Sequence, residues 1–141
     1  MNKKVIGKWL GLLLPFVVLF AIWIYVQTKK SEGHARGKVL YDKHCASCHG
    51  ANGEGLKLLI PPVKEADYIS NNPEYLACII RYGVKGNITV NGIEYSGNMI
   101  GLNKLEDDQI RDIVNFINVE WNGASEDYTL KEIRKQLDQC F

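Results

Sequence analysis

Five consecutive residues, Cys45-Ala46-Ser47-Cys48-His49, hold the densest chemistry in this chain. Two thiols two residues apart, followed at once by an imidazole, form the Cys-x-x-Cys-His pattern that attaches a c-type haem. Each thiol can form a thioether to a vinyl group along one edge of the ring. The adjacent imidazole then lies where it can ligate iron from one face. A Cys-x-x-Cys also serves as a redox dithiol or as half of a zinc site. The first sits near a βαβ pattern, which is not visible in this chain. The second needs another ligand pair, and Cys78 and Cys140 lie far apart with no His beside either.

Iron in a porphyrin has two axial positions, so a second ligand is needed beyond His49. Met1 precedes the apolar N-terminal run. His34 falls in a polar segment and is expected to be solvated. His44 is too close to Cys45 to reach the far face and is expected to be exposed. Met99 remains, in Gly97-Asn98-Met99-Ile100-Gly101-Leu102, which reads as a loop. Cores use Met as filler, but a polar, glycine-flanked loop is an odd place for filler. A His/Met pair fills both axial sites and raises the haem potential, which points to electron transfer.

The elements that must hold these residues follow from local pattern. Residues 36–43 read as a helix leading into the motif, with Gly37, Leu40, Tyr41 and Cys45 on one face. Gly37 implies close approach of another helix, because glycine otherwise costs helix stability. Gly50 to Gly55 is a glycine-rich turn. It lacks the lysine and preceding strand of a phosphate loop and suits a chain turning beside a flat cofactor. Leu58, Leu59, Ile60 and Val63 give apolar cover around Pro61-Pro62, whose free carbonyls suit an acceptor for the other N–H of His49. A helix starts at Asn71 or Asn72, with Pro73 in its first turn, and ends at Tyr82-Gly83. Ile88 to Tyr95 signals a hairpin around Asn91-Gly92. Residues 106–121 form the clearest helix, with Ile110, Ile113, Val114, Ile117 and Trp121 as its stripe. Glu106 takes its N-cap place, though Glu is not a favoured cap. A last short helix is expected over residues 129–139, facing inward through Leu130, Ile133 and Leu137.

Residues 9–26 carry no charge, and a spanning helix needs ~17–25 residues. Trp9, Trp23 and Tyr25 suit the two interfaces. A cleaved signal peptide would show a shorter apolar core and an Ala-x-Ala-like site, whereas Val26-Gln27-Thr28 is a poor one. An uncleaved anchor is the favoured reading, with residues 1–8 as a basic cytoplasmic terminus and residues 27–35 as a polar tether of up to ~30 Å when extended. Covalent haem attachment takes place outside the cytoplasmic membrane, so the haem domain is expected to face the periplasm of a bacterial inner membrane, on a single-pass anchor. Residues 31–141 hold all 16 acidic residues, for a net charge of −4. No basic stripe meets phosphates, which argues against a nucleic-acid partner.

With these residues in place, the chain resembles the class I c-type cytochromes over roughly residues 36–121. Gly37-x3-Tyr41-x3-Cys45-x2-Cys48-His49 matches the family's first helix and haem site. The resemblance implies an all-α cytochrome c fold, with a few helices around one covalently bound haem c. In that family the first helix crosses the last, and Ile113 and Phe116 look like its partners there. Pro61 resembles the proline whose carbonyl holds the proximal His, and Met99 the distal ligand, although its neighbours here are Asn98 and Ile100 where a proline is common. The hairpin over residues 88–95 resembles a subgroup found as membrane-anchored cytochromes and as domains of respiratory enzymes. Residues 122–141 fall outside the common core. In an oxidising compartment Cys78 and Cys140 are expected to pair.

The expected function is a membrane-tethered single-electron carrier, not an enzyme and without a small-molecule substrate. Its partners would be a quinol-oxidising complex as donor and a terminal oxidase or nitrogen-oxide reductase as acceptor. The alternatives are a fixed cytochrome subunit of a larger respiratory complex, and a haem enzyme or gas sensor with an open iron site.

Overall fold

The computed structural model describes residues 3–140, with side chains from Leu14 onward. The chain forms two compact units, Met1–Glu32 and Gly33–Phe141. Helix α1, Lys3–His44, contributes its first part to one unit and its last turns to the other.

In the first unit every side chain from Leu14 to Val26 is exposed. Phe20 and Trp23 stack at 5.9 Å, and Lys29 pairs with Glu32 at 3.0 Å. Among the described residues no helix is long and apolar enough to cross a membrane. The span expected over residues 9–26 begins in residues 9–13, whose side chains lie outside those described. Residues 27–35, expected as a tether, are helical.

The second unit is built on the crossing of the last turns of α1 with α5, Asp107–Trp121. Gly37 makes this crossing possible. A Cβ there would strike the Asp112 carbonyl and lie 2.7 Å from the Phe116 Cβ. One turn later Tyr41 meets Trp121 edge-on at 4.8 Å, and Phe116 meets the same indole at 4.8 Å. Such aromatic pairs add to the burial of their faces. Ile110, Ile113, Val114 and Ile117 of α5 are fully or almost fully buried, as the 3.6-residue stripe requires. At the start of α5 the Gln109 side chain accepts from the Glu106 N–H at 2.9 Å. The helix thus closes one orphan donor despite its Glu cap.

Around this pair lie α2 (Ala46–His49), α3 (Asp67–Asn71), a 3-10 turn (Pro73–Tyr75) and α4 (Leu76–Tyr82). Strands β1 (Gly83–Val84) and β4 (Met99–Ile100) pair antiparallel. Strands β2 (Ile88–Val90) and β3 (Ile93–Tyr95) pair as the expected hairpin. Asn91 and Gly92 at its turn have φ of 51° and 76°, the doubly positive pair that matches strand twist. The short α3 and the β1–β4 ladder have no counterpart in the sequence reading. Two residues a side give no periodicity to detect.

Helix α6, Leu130–Asp138, closes the unit. Its Ile133 is fully buried in the same core, with Leu137 packed against it, so α6 packs with the cytochrome-like part. Thr129 and Glu132 cap it reciprocally, with the Glu132 N–H donating to Thr129 Oγ1 at 3.3 Å and the Thr129 N–H to Glu132 Oε2 at 2.7 Å. Cys78 of α4 and Cys140 form a disulfide with Cα atoms 5.7 Å apart.

Candidate functional site

Helix α1 ends at His44, and Cys45 breaks the run before α2 carries Cys48 and His49. The Cys45 N–H still donates to the Tyr41 carbonyl at 2.8 Å, and the His49 N–H to the Cys45 carbonyl at 2.9 Å. The motif is therefore a helical continuation placed by the α1–α5 crossing. Cys45 is buried and Cys48 exposed, and neither is in a disulfide. Burial, helped by the nearby Cys48, pushes the Cys45 thiol up to about 11.

His49 Nδ1 donates to the Pro61 carbonyl at 3.0 Å. A carbonyl can only accept, so the proton sits on Nδ1 and the Nε2 lone pair is left free. Burial pulls the imidazole below its usual pKa, against the Pro61 carbonyl, which favours the charged form. A neutral, oriented imidazole with a free Nε2 is what a metal needs.

These groups face a cavity of about 390 Å³. Cys45, Cys48, His49 and Pro61 lie on its wall, and so does Met99, with apolar cover from Ile60, Leu76, Ile80, Val90 and Tyr95. An apolar cavity bearing two thiols, a neutral imidazole and a thioether fits a covalently held haem. Cys78 and Cys140 lie outside it and serve the fold.

At three residues the sequence expectation is corrected. Met99 belongs to strand β4, opposite Val84, and not to a loop. Glycines let the strands come this close, since a Cβ on Gly83 would strike the Met99 carbonyl. His44 is partly buried and lines the cavity, because the chain turns out of α1 beside it. His34 is no solvated linker residue: its Nε2 lies 2.8 Å from Asp127 Oδ1 of the C-terminal segment. The apolar cover also differs in part: Leu59, Ile60 and Val63 line the cavity, whereas Leu58 does not and is 69% exposed.

One residue of the site's support escaped the sequence. Asn122, at the C-terminus of α5, donates from Nδ2 to the Val63 carbonyl at 2.9 Å. Its Oδ1 accepts from the Ala66 N–H at 3.0 Å. Its only sequence signal was an Asn-Gly helix stop.

The motif, the oriented His49 and the α1–α5 crossing define a class I c-type cytochrome. The cytochrome c family pattern matches residues 34–120, and the chain belongs to that family. It accordingly holds covalently bound haem c and transfers electrons. It is similar to two forms of cytochrome c-552 of Thermus thermophilus. Each is 33% identical over 110 residues, which cover 72% of this chain and 83% and 74% of the two relatives. A gluconate 2-dehydrogenase cytochrome c subunit of Pantoea cypripedii is 28% identical over 109 residues, which cover 74% of this chain and 24% of that subunit.

Proposed function

We propose that the protein is a membrane-tethered monohaem carrier, passing single electrons from a quinol-oxidising complex to a terminal oxidase or nitrogen-oxide reductase. The observation that carries the reading is the sharing of one apolar cavity by His49 and Met99. In it Cys45 and Cys48 would hold the haem by thioethers, and His49 and Met99 would be the two side chains that hold its iron. When bound, the haem iron supplies a one-electron couple. The chain's own part is to keep that couple in place. The Pro61 carbonyl fixes the His49 ring, and the β1–β4 ladder fixes Met99. The apolar walls exclude water, so little reorganises when charge changes. With His49 and Met99 both available to hold the iron, the chain would leave no open iron site for an enzyme or gas sensor.

The tether is supported by the uncharged run at residues 9–26 and by the exposure of all side chains from Leu14 to Val26. An exposed apolar helix of that length in water would be costly. The proposed place is a bacterial inner membrane, with the haem domain on the periplasmic side. The net negative charge of residues 31–141 favours partners with basic docking patches, at rates that fall with salt.

A Met99→Ala variant tests the site. It should lose the methionine-to-ferric-haem charge-transfer band and gain rapid carbon monoxide binding when reduced. A band unchanged in the variant would remove Met99 from the iron. Fractionation tests the tether: full-length protein should stay with membranes through an alkaline wash, and protein lacking residues 1–32 should not. A second reading, a fixed subunit of a larger complex, draws on the relative named as a cytochrome c subunit. Copurification of stoichiometric partners in mild detergent would favour it.

A further inference from the structure

We infer that Asn122 is a positioning residue for the haem iron, acting through the Val63 backbone and the Pro61 carbonyl on the ring of His49. The inference rests on His49 being an iron ligand. Val63 is pinned at both ends: its N–H donates to the Gly53 carbonyl at 2.8 Å, and its carbonyl accepts from Asn122. Upstream lie Pro61 and Pro62, whose rings fix φ. The chain between the pin and the Pro61 carbonyl therefore has few soft torsions. Behind it sits Gly55, where a Cβ would lie 2.7 Å from the Pro62 nitrogen and 2.8 Å from the Pro61 carbonyl carbon. Gly55 sets how deep this strip lies, and Asn122 sets its course toward α5.

Asn122 is held in turn. Its Nδ2 also donates to the Ile117 carbonyl at 3.0 Å, and the neighbouring Trp121 carbonyl accepts from the Glu65 N–H at 3.1 Å. The end of α5 thus grips residues 63–66, and the carbonyl that orients His49 is two residues upstream. A good bond from Nδ1–H makes the imidazole a more basic ligand, which favours the oxidised iron and lowers the potential. Releasing the grip should do the reverse.

Another asparagine of α5 supplies the control. Asn115 makes the same two kinds of bond, Nδ2 to the Tyr128 carbonyl at 3.0 Å and Oδ1 from the Tyr128 N–H at 2.8 Å. It grips the C-terminal segment, away from Pro61. Holoprotein would be made with Asn122→Ala, Asn122→Ser and Asn115→Ala. Three readouts are taken: unfolding midpoint, reduction potential, and solvent exchange of the His49 ring N–H in the reduced state. Both alanine variants should lose stability. Only the Asn122 variants should show a raised potential and faster ring N–H exchange, by about tenfold, the size of one lost hydrogen bond. If Asn122→Ala yields no holoprotein, Asn122→Ser decides, since its short hydroxyl cannot bridge Val63 and Ala66. A potential and an exchange rate equal to those of Asn115→Ala would overturn the inference. A native His49 ring without the strong shift of a haem ligand would instead overturn the ligand assignment beneath it.

Discussion

The two walls of the haem cavity are held by different means. On the wall of His49, polar bonds from several elements converge on one carbonyl strip: Gly53 and Asn122 both grip Val63, and Pro61 orients the imidazole. On the wall of Met99 there is a ladder of two residues a side, Gly83 with Ile100 and Val84 with Met99. It depends on bare backbone meeting bare backbone, since a Cβ on Gly83 would strike the Met99 carbonyl and one on Gly101 the Tyr82 carbonyl carbon. Ile100, beside the ligand, is 87% exposed. The first wall is held at several points, so one substitution loosens it without displacing the ligand. The second is a close fit that a single methyl group breaks.

The largest effect should come from loosening what carries the Met99 wall. Strand β1 continues directly from α4, and the Cys78–Cys140 disulfide ties α4 to the end of the chain. Closing so long a loop restricts the unfolded chain, which the chain-entropy estimate puts at about 4 kcal/mol. Replacing both cysteines with serine should lower the unfolding free energy by that order, and the denaturant midpoint with it. The Met99 charge-transfer band should fade at lower denaturant than the His49-dependent Soret signal. Coincident loss of the two signals would erase the proposed difference between the walls.

Gly83→Ala attacks the fit itself. Gly83 has φ of 78°, where an L side chain is strained, and its added Cβ meets the Met99 carbonyl. Strain plus overpacking should cost about 3 kcal/mol. Loss of Met99 ligation should accompany it, read as a weakened charge-transfer band and as carbon monoxide binding in the reduced state. A native band in the Gly83→Ala protein would show that the ladder yields where it should not.

This asymmetry also explains what could be read in the sequence. The His49 wall was legible because its parts are local or periodic: Cys45 to His49 are contiguous, Gly37, Tyr41 and Ile113 fall on helical stripes, and Phe116 followed from the family resemblance. Ile88 to Tyr95 was legible through Asn91-Gly92, a turn that selects its own backbone. The Met99 wall was legible only as a residue type. Its strand pairs Met99 with Val84 across a hairpin, and two-residue ladders leave no alternation. Asn122 and His34 were hidden for a related reason. Each finds its partner far along the chain, Val63 in one case and Asp127 in the other, and neither helix stripe nor turn signal reports such a bond.

Tyr41→Phe probes the His49 wall at its base. The Tyr41 hydroxyl donates to the Gly50 carbonyl at 2.9 Å, one residue past His49. At neutral pH the variant should lose about 1 kcal/mol, one net hydrogen bond, with the Met99 band intact. Burial first, then nearby negative groups including Glu54 and Asp42, raise the Tyr41 phenol above its usual value. The folded state therefore holds this proton more tightly than the unfolded chain, whose tyrosines titrate near ~10. That contribution is complete below the unfolded value and is lost as pH rises toward the folded one. Native protein should weaken above about pH 10, and Tyr41→Phe should lack this part of the slope. Equal slopes in the two proteins would place the alkaline loss elsewhere.

The smallest change expected is also the sharpest test of redundancy. Pro61→Ala keeps the carbonyl that accepts from His49 and removes only the ring that stiffens the chain before it. Loss of that ring acts mainly through the unfolded state and should cost about 0.4–1 kcal/mol. The strip would still be backed by Gly55, and Val63 would still be gripped by Gly53 and Asn122. The carbonyl should therefore stay aimed, with the reduction potential and the Met99 band close to native. On the other wall a change of similar size, one methyl group at Gly83, should displace the ligand. If Pro61→Ala moves the potential as far as Asn122→Ala does, then the proline ring aims the carbonyl as much as the clamp does. The His49 wall would then be as dependent on single residues as the wall of Met99.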